Sequence, residues 1–247
     1  DVVGQRVVAR VAVFLADLEH ERFTALESDP AYTGHLGKVK LSREVLQWAE
    51  QTFGADVTVA SSMGDEVLVE LIAQSAPSLD VFFLDTGYHF AETLETRDHY
   101  AERVTIRTIL PVLSVNQQDA EYGARLHDRD PDLCCAMRKV EPLNRAIAGH
   151  KAWVTGMRRV DAPTRTDITL VGFDEKRRIV KLNPIAAWDD DDVERFAFEE
   201  DVHLNPLRER GYASIGCAPC TRPVAPGEDP RAGRWAGKNK TECGLHT

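Results

Sequence analysis

Val57-Thr58-Val59-Ala60-Ser61-Ser62-Met63-Gly64-Asp65 decides the fold. Residues 57–60 form a short apolar run that reads as a buried strand. The small hydroxyl residues after it lead into a stretch with helical apolar spacing, through about Ala76. A strand handing over to a helix through a polar turn is the repeating unit of a parallel α/β sheet. Downstream the unit recurs. Val81-Phe82-Phe83-Leu84 is a second strand ending at Asp85-Thr86-Gly87, and a helix follows. Further strands are predicted around residues 103–107, at Ala152–Thr155 and at Ile179–Leu182. Upstream, the spacing of Val7, Val11, Phe14, Leu15 and Leu18 predicts a helix through about Glu27. Pro30, Gly34 and Gly37 mark residues 28–40 as turns. Ser42 is expected to cap a helix with a Val45, Leu46, Ala49 stripe that ends near Gly54. The expectation is an α/β fold, a mostly parallel sheet with helices on both faces, whose ligands collect at the carboxyl ends of the strands.

The chain has 247 residues, 43% hydrophobic and 28% charged, the balance of an ordinary globular protein. That length suits one α/β domain (residues 1–220) with a C-terminal extension (221–247) rather than two full domains. Prolines 219, 223, 226 and 230 and glycines 227, 233 and 237 punctuate this last part, which reads as a tail over the strand-end cleft. The formal charge of −10 disfavours a nucleic-acid or anionic-membrane partner. No apolar run is long enough to cross a bilayer. The sequence begins at Asp1 rather than Met, so residues upstream are expected to be missing. It shows no secretory signal, and a cytoplasmic location is expected. Residues 222–246 are locally basic, with five Lys or Arg against three Asp or Glu. That suits a small anionic substrate and equally a scattered surface charge.

Five cysteines, Cys134, Cys135, Cys217, Cys220 and Cys243, are an odd number without secretory context. Thiolate chemistry or metal ligation is therefore favoured over a disulfide framework. Cys134-Cys135 and Cys217-Ala218-Pro219-Cys220 can together hold a zinc ion or an iron–sulfur cluster. Adjacent cysteines are less typical of zinc, where two to four residues usually separate a ligand pair. Ser61 and Ser62, between a strand and a helix N-terminus, can bind an anion. The loop lacks the glycine-lysine pattern of a Walker phosphate loop, and a plain helix cap explains it as well. After Leu84, main-chain groups can read an adenine edge and Thr86 can bond a ligand, although Asp85 and Gly87 are also ordinary turn residues. Arg158 and Arg159 follow another strand and suit a phosphosulfate or an ion pair with the acidic body. Cys243 is the unpaired cysteine, beside Glu242, Gly244 and His246 in a cation-rich tail. Its thiolate is a candidate nucleophile, and His246 a candidate for orienting an anion or assisting proton transfer.

Taken together, LDTGYHFAET (84–93), CCAMRKVEPL (134–143), WVTGMRRVDAPTR (153–165), IGCAPCTRP (215–223), GRWAGKNKTECGLH (233–246) and the Ser61-Ser62 loop resemble the assimilatory sulfonucleotide reductases, especially the bacterial adenosine 5′-phosphosulfate reductases. The resemblance covers roughly the last three quarters of the chain, from residue 57 on. It implies an adenine-nucleotide α-hydrolase-like fold and a [4Fe-4S] cluster on Cys134, Cys135, Cys217 and Cys220. It also implies that Cys243 attacks the sulfate sulfur, releasing AMP and forming S-sulfocysteine, from which thioredoxin or a related dithiol releases sulfite. In that scheme the cluster is not the main electron carrier; with Lys139 it shapes the electrostatics around the sulfate. Ser61, Ser62, Arg158 and Arg159 match the anion-binding segments, Leu84, Asp85 and Thr86 the nucleotide loop, and Arg231, Arg234 and His246 the basic residues of the tail that contact substrate. The first loop departs from the Ser-Gly-Gly-x-Asp-Ser of related pyrophosphatases, which fits a reductase and blurs the phosphate ligands.

Three other readings compete. A reductase for the 3′-phosphorylated substrate typically lacks the four cluster cysteines. A tRNA-thiolating adenylyltransferase should show the pyrophosphatase loop and a basic RNA surface. A noncatalytic iron–sulfur sensor leaves Glu242-Cys243-Gly244-Leu245-His246 without a role. The expected partners are adenosine 5′-phosphosulfate and a dithiol reductant, with a homo-oligomer left open.

Overall fold

The computed structural model describes residues 2–245 apart from Asn239, with the side chains of the first helix described from residue 12 onward. The strands are β1 (Val57–Ser61), β2 (Asp80–Leu84), β3 (Ile106–Ile109), β4 (Ala152–Thr155), β5 (Val171–Asp174) and β6 (Ile179–Leu182). They form one sheet in the order β3-β2-β1-β4-β6-β5, parallel throughout except for the β5–β6 pair. The helices are α1 (Val2–Glu27), α2 (Gly34–Phe53), α3 (Glu66–Ser75), α4 (Ala91–Tyr100), α5 (Val115–Tyr122), α6 (Leu126–Arg129), α7 (Pro131–Cys135), α8 (Glu141–Ile147) and α9 (Asp190–Glu199).

Strand alternation divides the apolar residues between the two faces of the sheet. Val59, Val81, Phe83 and Val154 join the larger core with Val45 and Leu46 of α2, Leu68 and Leu71 of α3 and Phe196 of α9. Phe82, Trp153 and Ile179 point the other way, onto Leu143, Ala146 and Ile147 of α8. Helices thus cover both faces, as the sequence predicts. From β1 the chain runs outward to β2 and β3, then returns to lay β4 on the other side of β1. The gap beyond the carboxyl ends of β1 and β4 is the topological switch point, where open α/β sheets bind ligands.

Several local expectations are corrected. Residues 34–40 are helical, and Ser42 lies inside α2 rather than at its cap. Gly37 is needed for close packing, because a Cβ there would run into the Tyr32 backbone. Ser42 is fully buried. Its hydroxyl donates to the Pro184 carbonyl (2.7 Å) and accepts from Trp188 Nε1 (2.9 Å), so a residue that looks like a cap joins two segments instead. On α1 the expected stripe is turned. Ala16 and Phe23 are buried, while Phe14 and Leu18 are exposed; the side chains of Val7 and Val11 lie outside the described residues. β3 begins at Ile106, and Arg103 instead pairs with buried Glu70. β5 carries no clear apolar alternation and escapes sequence reading. Among the described residues no helix is long and apolar enough to cross a membrane.

Candidate active site

A cleft of about 540 Å³ opens at the switch point, within the size range of small-molecule sites. One wall is the turn after β1. There Ser61 Oγ donates to Asp65 Oδ1 (2.7 Å), the Ser62 amide donates to the same oxygen (3.1 Å), and the Met63 amide donates to Ser61 Oγ (3.2 Å). Ser61 is therefore spent on shaping the loop, whereas Ser62 is exposed to the cleft. Burial raises the Asp65 carboxyl above its ordinary range, against the pull of the Ser61 and Ser62 hydrogen bonds. Gly156 after β4 closes against this turn; a Cβ there would lie 2.6 Å from Asp65 Oδ2.

The turn after β2 supplies Leu84 and Thr86 to the cleft. His89 Nε2 lies 2.9 Å from the Leu84 carbonyl, and burial lowers the His89 pKa, so the neutral ring donates there. Thr86 Oγ1 is 3.3 Å from Cys217 Sγ, and the Thr86 carbonyl accepts from the buried Arg138 guanidinium. Asp85 does not line the cleft; its carboxylate accepts from the Gly87 amide (2.9 Å).

Cys134, Cys135, Cys217 and Cys220 line a second, smaller cavity together with Arg138, Lys139 and Trp235. The cysteine pair ends α7, and the chain then widens into a π-helical turn, Ala136–Val140, which carries Lys139 on from the pair. The opposite pair is held by an Ala218 amide bond to the Tyr88 carbonyl (2.7 Å) and by the Trp235 amide on the Cys220 carbonyl (2.9 Å). Burial and the neighbouring sulfurs of Cys135, Cys217 and Cys220 push the Cys134 thiol up to about 12. Among the described residues no group of three or more His, Cys, Asp or Glu is placed to hold a metal ion.

Lys139 lines both cavities. Burial opposes its charge, but the sulfurs of Cys217, Cys243 and Cys135 outweigh that and raise its pKa. Cys243 lines the cleft from the tail, and Leu245 packs on the core beneath α8. Arg234 is half-buried beside them. It donates to Ser214 Oγ and the Ile215 carbonyl (both 3.1 Å), and a side chain at Gly216 would meet its guanidinium. Among the described residues neither Lys139 nor Arg234 pairs with a carboxylate. The other cleft arginines do. Arg158 pairs with Asp161 (2.7 Å) and Asp190 (2.9 Å), and Arg231 with Glu242 (3.3 Å). Arg159 is turned away onto the Ile168 carbonyl (2.8 Å) and Glu27. Most of the remaining basic tail is consumed in surface pairs, Lys238 with Asp128 (3.0 Å) and Arg222 with Glu228 (2.6 Å). His246 lies outside the described residues.

The structure thus brings Ser61, Ser62, Leu84, Thr86, Lys139, Arg158, Arg231, Arg234 and Cys243 to one cleft and leaves Asp85 and Arg159 off it. Sequence reading assigned no role to Arg165 or Arg208, which also line it. Arg165 stands at the end of a quoted motif. Arg208 carries no local signal; it is recognised only by its bonds to the Gly64 carbonyl (2.7 Å) and Glu66 (2.9 Å).

Comparison with known proteins places this architecture. Residues 56–223 match the phosphoadenosine phosphosulfate reductase domain. The adenosine 5′-phosphosulfate reductase of Streptomyces coelicolor is 56% identical over 205 residues, spanning 82% of this chain and 87% of that protein. That of Mycobacterium tuberculosis is 48% identical over 222 residues, with 82% and 87% covered. Among solved structures, phosphoadenylyl-sulfate reductase from Candida auris superposes with a TM-score of 0.63 at 30% identity, covering 73% of this chain and 90% of that one. FMN adenylyltransferase from Candida glabrata, at 13% identity and a TM-score of 0.54 over 87% of this chain and 72% of its own, shares the fold alone. With the family domain spanning more than half of its length and relatives this similar over most of it, the chain belongs to the phosphoadenosine phosphosulfate reductase family.

Proposed function

We propose that the chain reduces adenosine 5′-phosphosulfate to sulfite and AMP in sulfate assimilation, with Cys243 as nucleophile. The observation that carries this reading is the position of Lys139. It lies between a ring of four cysteines and a switch-point cleft that also holds Cys243. Relatives bearing this activity in their names span the same length of chain.

The Cys243 thiolate attacks the sulfate sulfur, forming a sulfur–sulfur bond. The bond from that sulfur to the bridging oxygen breaks, and AMP leaves with the electron pair. Lys139 and Arg234, the half-buried cleft cations without carboxylate partners among the described residues, stabilise the negative charge that develops there. The turn after β2 holds the adenine edge through the Leu84 main chain, and Ser62 and Arg158 approach the phosphate. Thioredoxin or a related dithiol then attacks Cys243 Sγ, expelling sulfite and leaving a mixed disulfide that the second thiol resolves.

Cys134, Cys135, Cys217 and Cys220 fit a [4Fe-4S] cluster. Four thiols, three of them buried and Cys220 partly so, line one small cavity, and all-sulfur ligation with two adjacent cysteines suits an iron–sulfur cluster better than zinc. When bound, the cluster supplies charge beside Lys139 that tunes the field at the sulfate. The test is sulfite release from radiolabelled adenosine 5′-phosphosulfate, compared with its 3′-phosphorylated form, on anaerobically purified protein assayed for iron and inorganic sulfide. The expected result is release from the first substrate by protein carrying about four of each per chain. Turnover of only the 3′-phosphorylated form would overturn the substrate assignment, and stoichiometric zinc without sulfide would overturn the cluster.

A further inference from the structure

Glu242 precedes the nucleophile, and its carboxylate is gripped from two sides. Arg165 meets it with two parallel bonds, Nε to Oε1 (3.1 Å) and Nη2 to Oε2 (3.0 Å). Arg231 approaches Oε2 at 3.3 Å and donates to the Thr241 carbonyl at 2.9 Å. Arg165 is itself braced by Asp161 at 3.2 Å. The Arg165 side chain is 11% exposed and those of Glu242 and Arg231 are 19% exposed, so the cluster is only partly open to solvent.

Paired bonds from a planar guanidinium fix direction as well as distance, unlike a point-charge contact. Arg165 belongs to the segment after β4 and Arg231 to the start of the tail. A carboxylate shared between them fastens the segment around Glu242 across the cleft. The neighbouring residue, Cys243, needs that fastening. It lies in a segment with little core material, whose apolar anchors among the described residues are buried Trp235, eight positions before it, and Leu245. Attack on a bound sulfate requires alignment to a fraction of an ångström, which a free tail does not hold.

We infer that Glu242 is the positioning residue for Cys243. The Arg165–Glu242–Arg231 clamp holds the tail closed during sulfur transfer, and its release exposes Cys243. This rests on the function proposed above. The test compares wild type, Glu242→Gln and Glu242→Asp in the full chain by three measurements: alkylation of Cys243 with iodoacetamide, covalent adduct formation in a single turnover at saturating adenosine 5′-phosphosulfate, and AMP affinity.

Glu242→Gln should alkylate about tenfold faster, as expected for loss of charge-assisted bonds. It should form the adduct about 100-fold more slowly and bind AMP at least as tightly. Glu242→Asp should fall between the two. Added salt should speed wild-type alkylation, a measurement that needs no variant to fold. Unchanged alkylation in Glu242→Gln would overturn the clamp, as would salt-independent wild-type alkylation or a loss of AMP affinity in step with the adduct rate. If wild type forms no adduct at Cys243, the proposed function fails, while the alkylation rates still decide the clamp.

Discussion

Lys139 and Lys181 are both half-buried lysines, and their surroundings push them in opposite directions. At Lys139 nearby sulfurs outweigh desolvation and hold the charge. At Lys181, on β6 and 5.1 Å above the Trp153 ring, burial outweighs the attraction of Asp174, Arg177 and Arg165 repel, and the pKa falls to about 8. An unfolded chain returns Lys181 to its ordinary value of 10.5. Between those two values the unfolded state binds more protons, so this group makes stability rise with pH. Relative to Lys181→Met, wild type should gain thermal stability from about pH 8 to about pH 10. A constant gap between the two melting temperatures across that range would show that Lys181 is not desolvated. Residues of this kind are poorly legible in sequence, because their partners are far away. Thr86 meets Cys217 131 positions on, and Arg165 meets Glu242 77 positions on. The placement of Cys243, Lys139 and Arg234 at the cleft was legible because each sits in a motif that carries its own chemistry. Asp85 and Arg159 share such motifs, yet the fold uses them elsewhere.

The strands were the most legible elements. The apolar runs at β1, β2, β4 and β6 have no competing explanation, and the turns that follow them supply most of the cleft. α2 was misread at its start for a physical reason: glycine and serine carry two meanings. Gly37 permits close contact, and Ser42 serves as a buried hydrogen-bond junction, where a turn and a cap were expected. Ser42→Ala leaves Trp188 Nε1 without its acceptor in the core and takes the donor from the Pro184 carbonyl. It should cost about 1–3 kcal/mol in denaturant unfolding. A variant as stable as wild type would contradict the role of Ser42 as a buried junction. β5 escaped reading because it is an antiparallel edge strand closing the sheet, with only Val171 buried.

Across the whole molecule, the sheet sets the cleft and the tail completes it. Pairing of Thr221 with Arg234 and the bond from the Arg222 amide to the Gly233 carbonyl (3.0 Å) fold the tail back over the cysteine loop. Lys238 and Lys240 tie it to Asp128 and Asp132 around α6 and α7. The locally basic composition of the tail is therefore mostly structural, and the tail reaches the cleft with Arg231, Arg234 and Cys243. Such a tail suits a nucleophile with two tasks: meeting a buried sulfate, then presenting its adduct to an external dithiol. The most direct measurement is intact-mass and peptide mass spectrometry of protein mixed with adenosine 5′-phosphosulfate and no reductant. One sulfite-derived group should appear on the peptide containing Cys243. Cys243→Ser should bind nucleotide and form no adduct. An adduct on any other cysteine, or normal turnover by Cys243→Ser, would contradict the account.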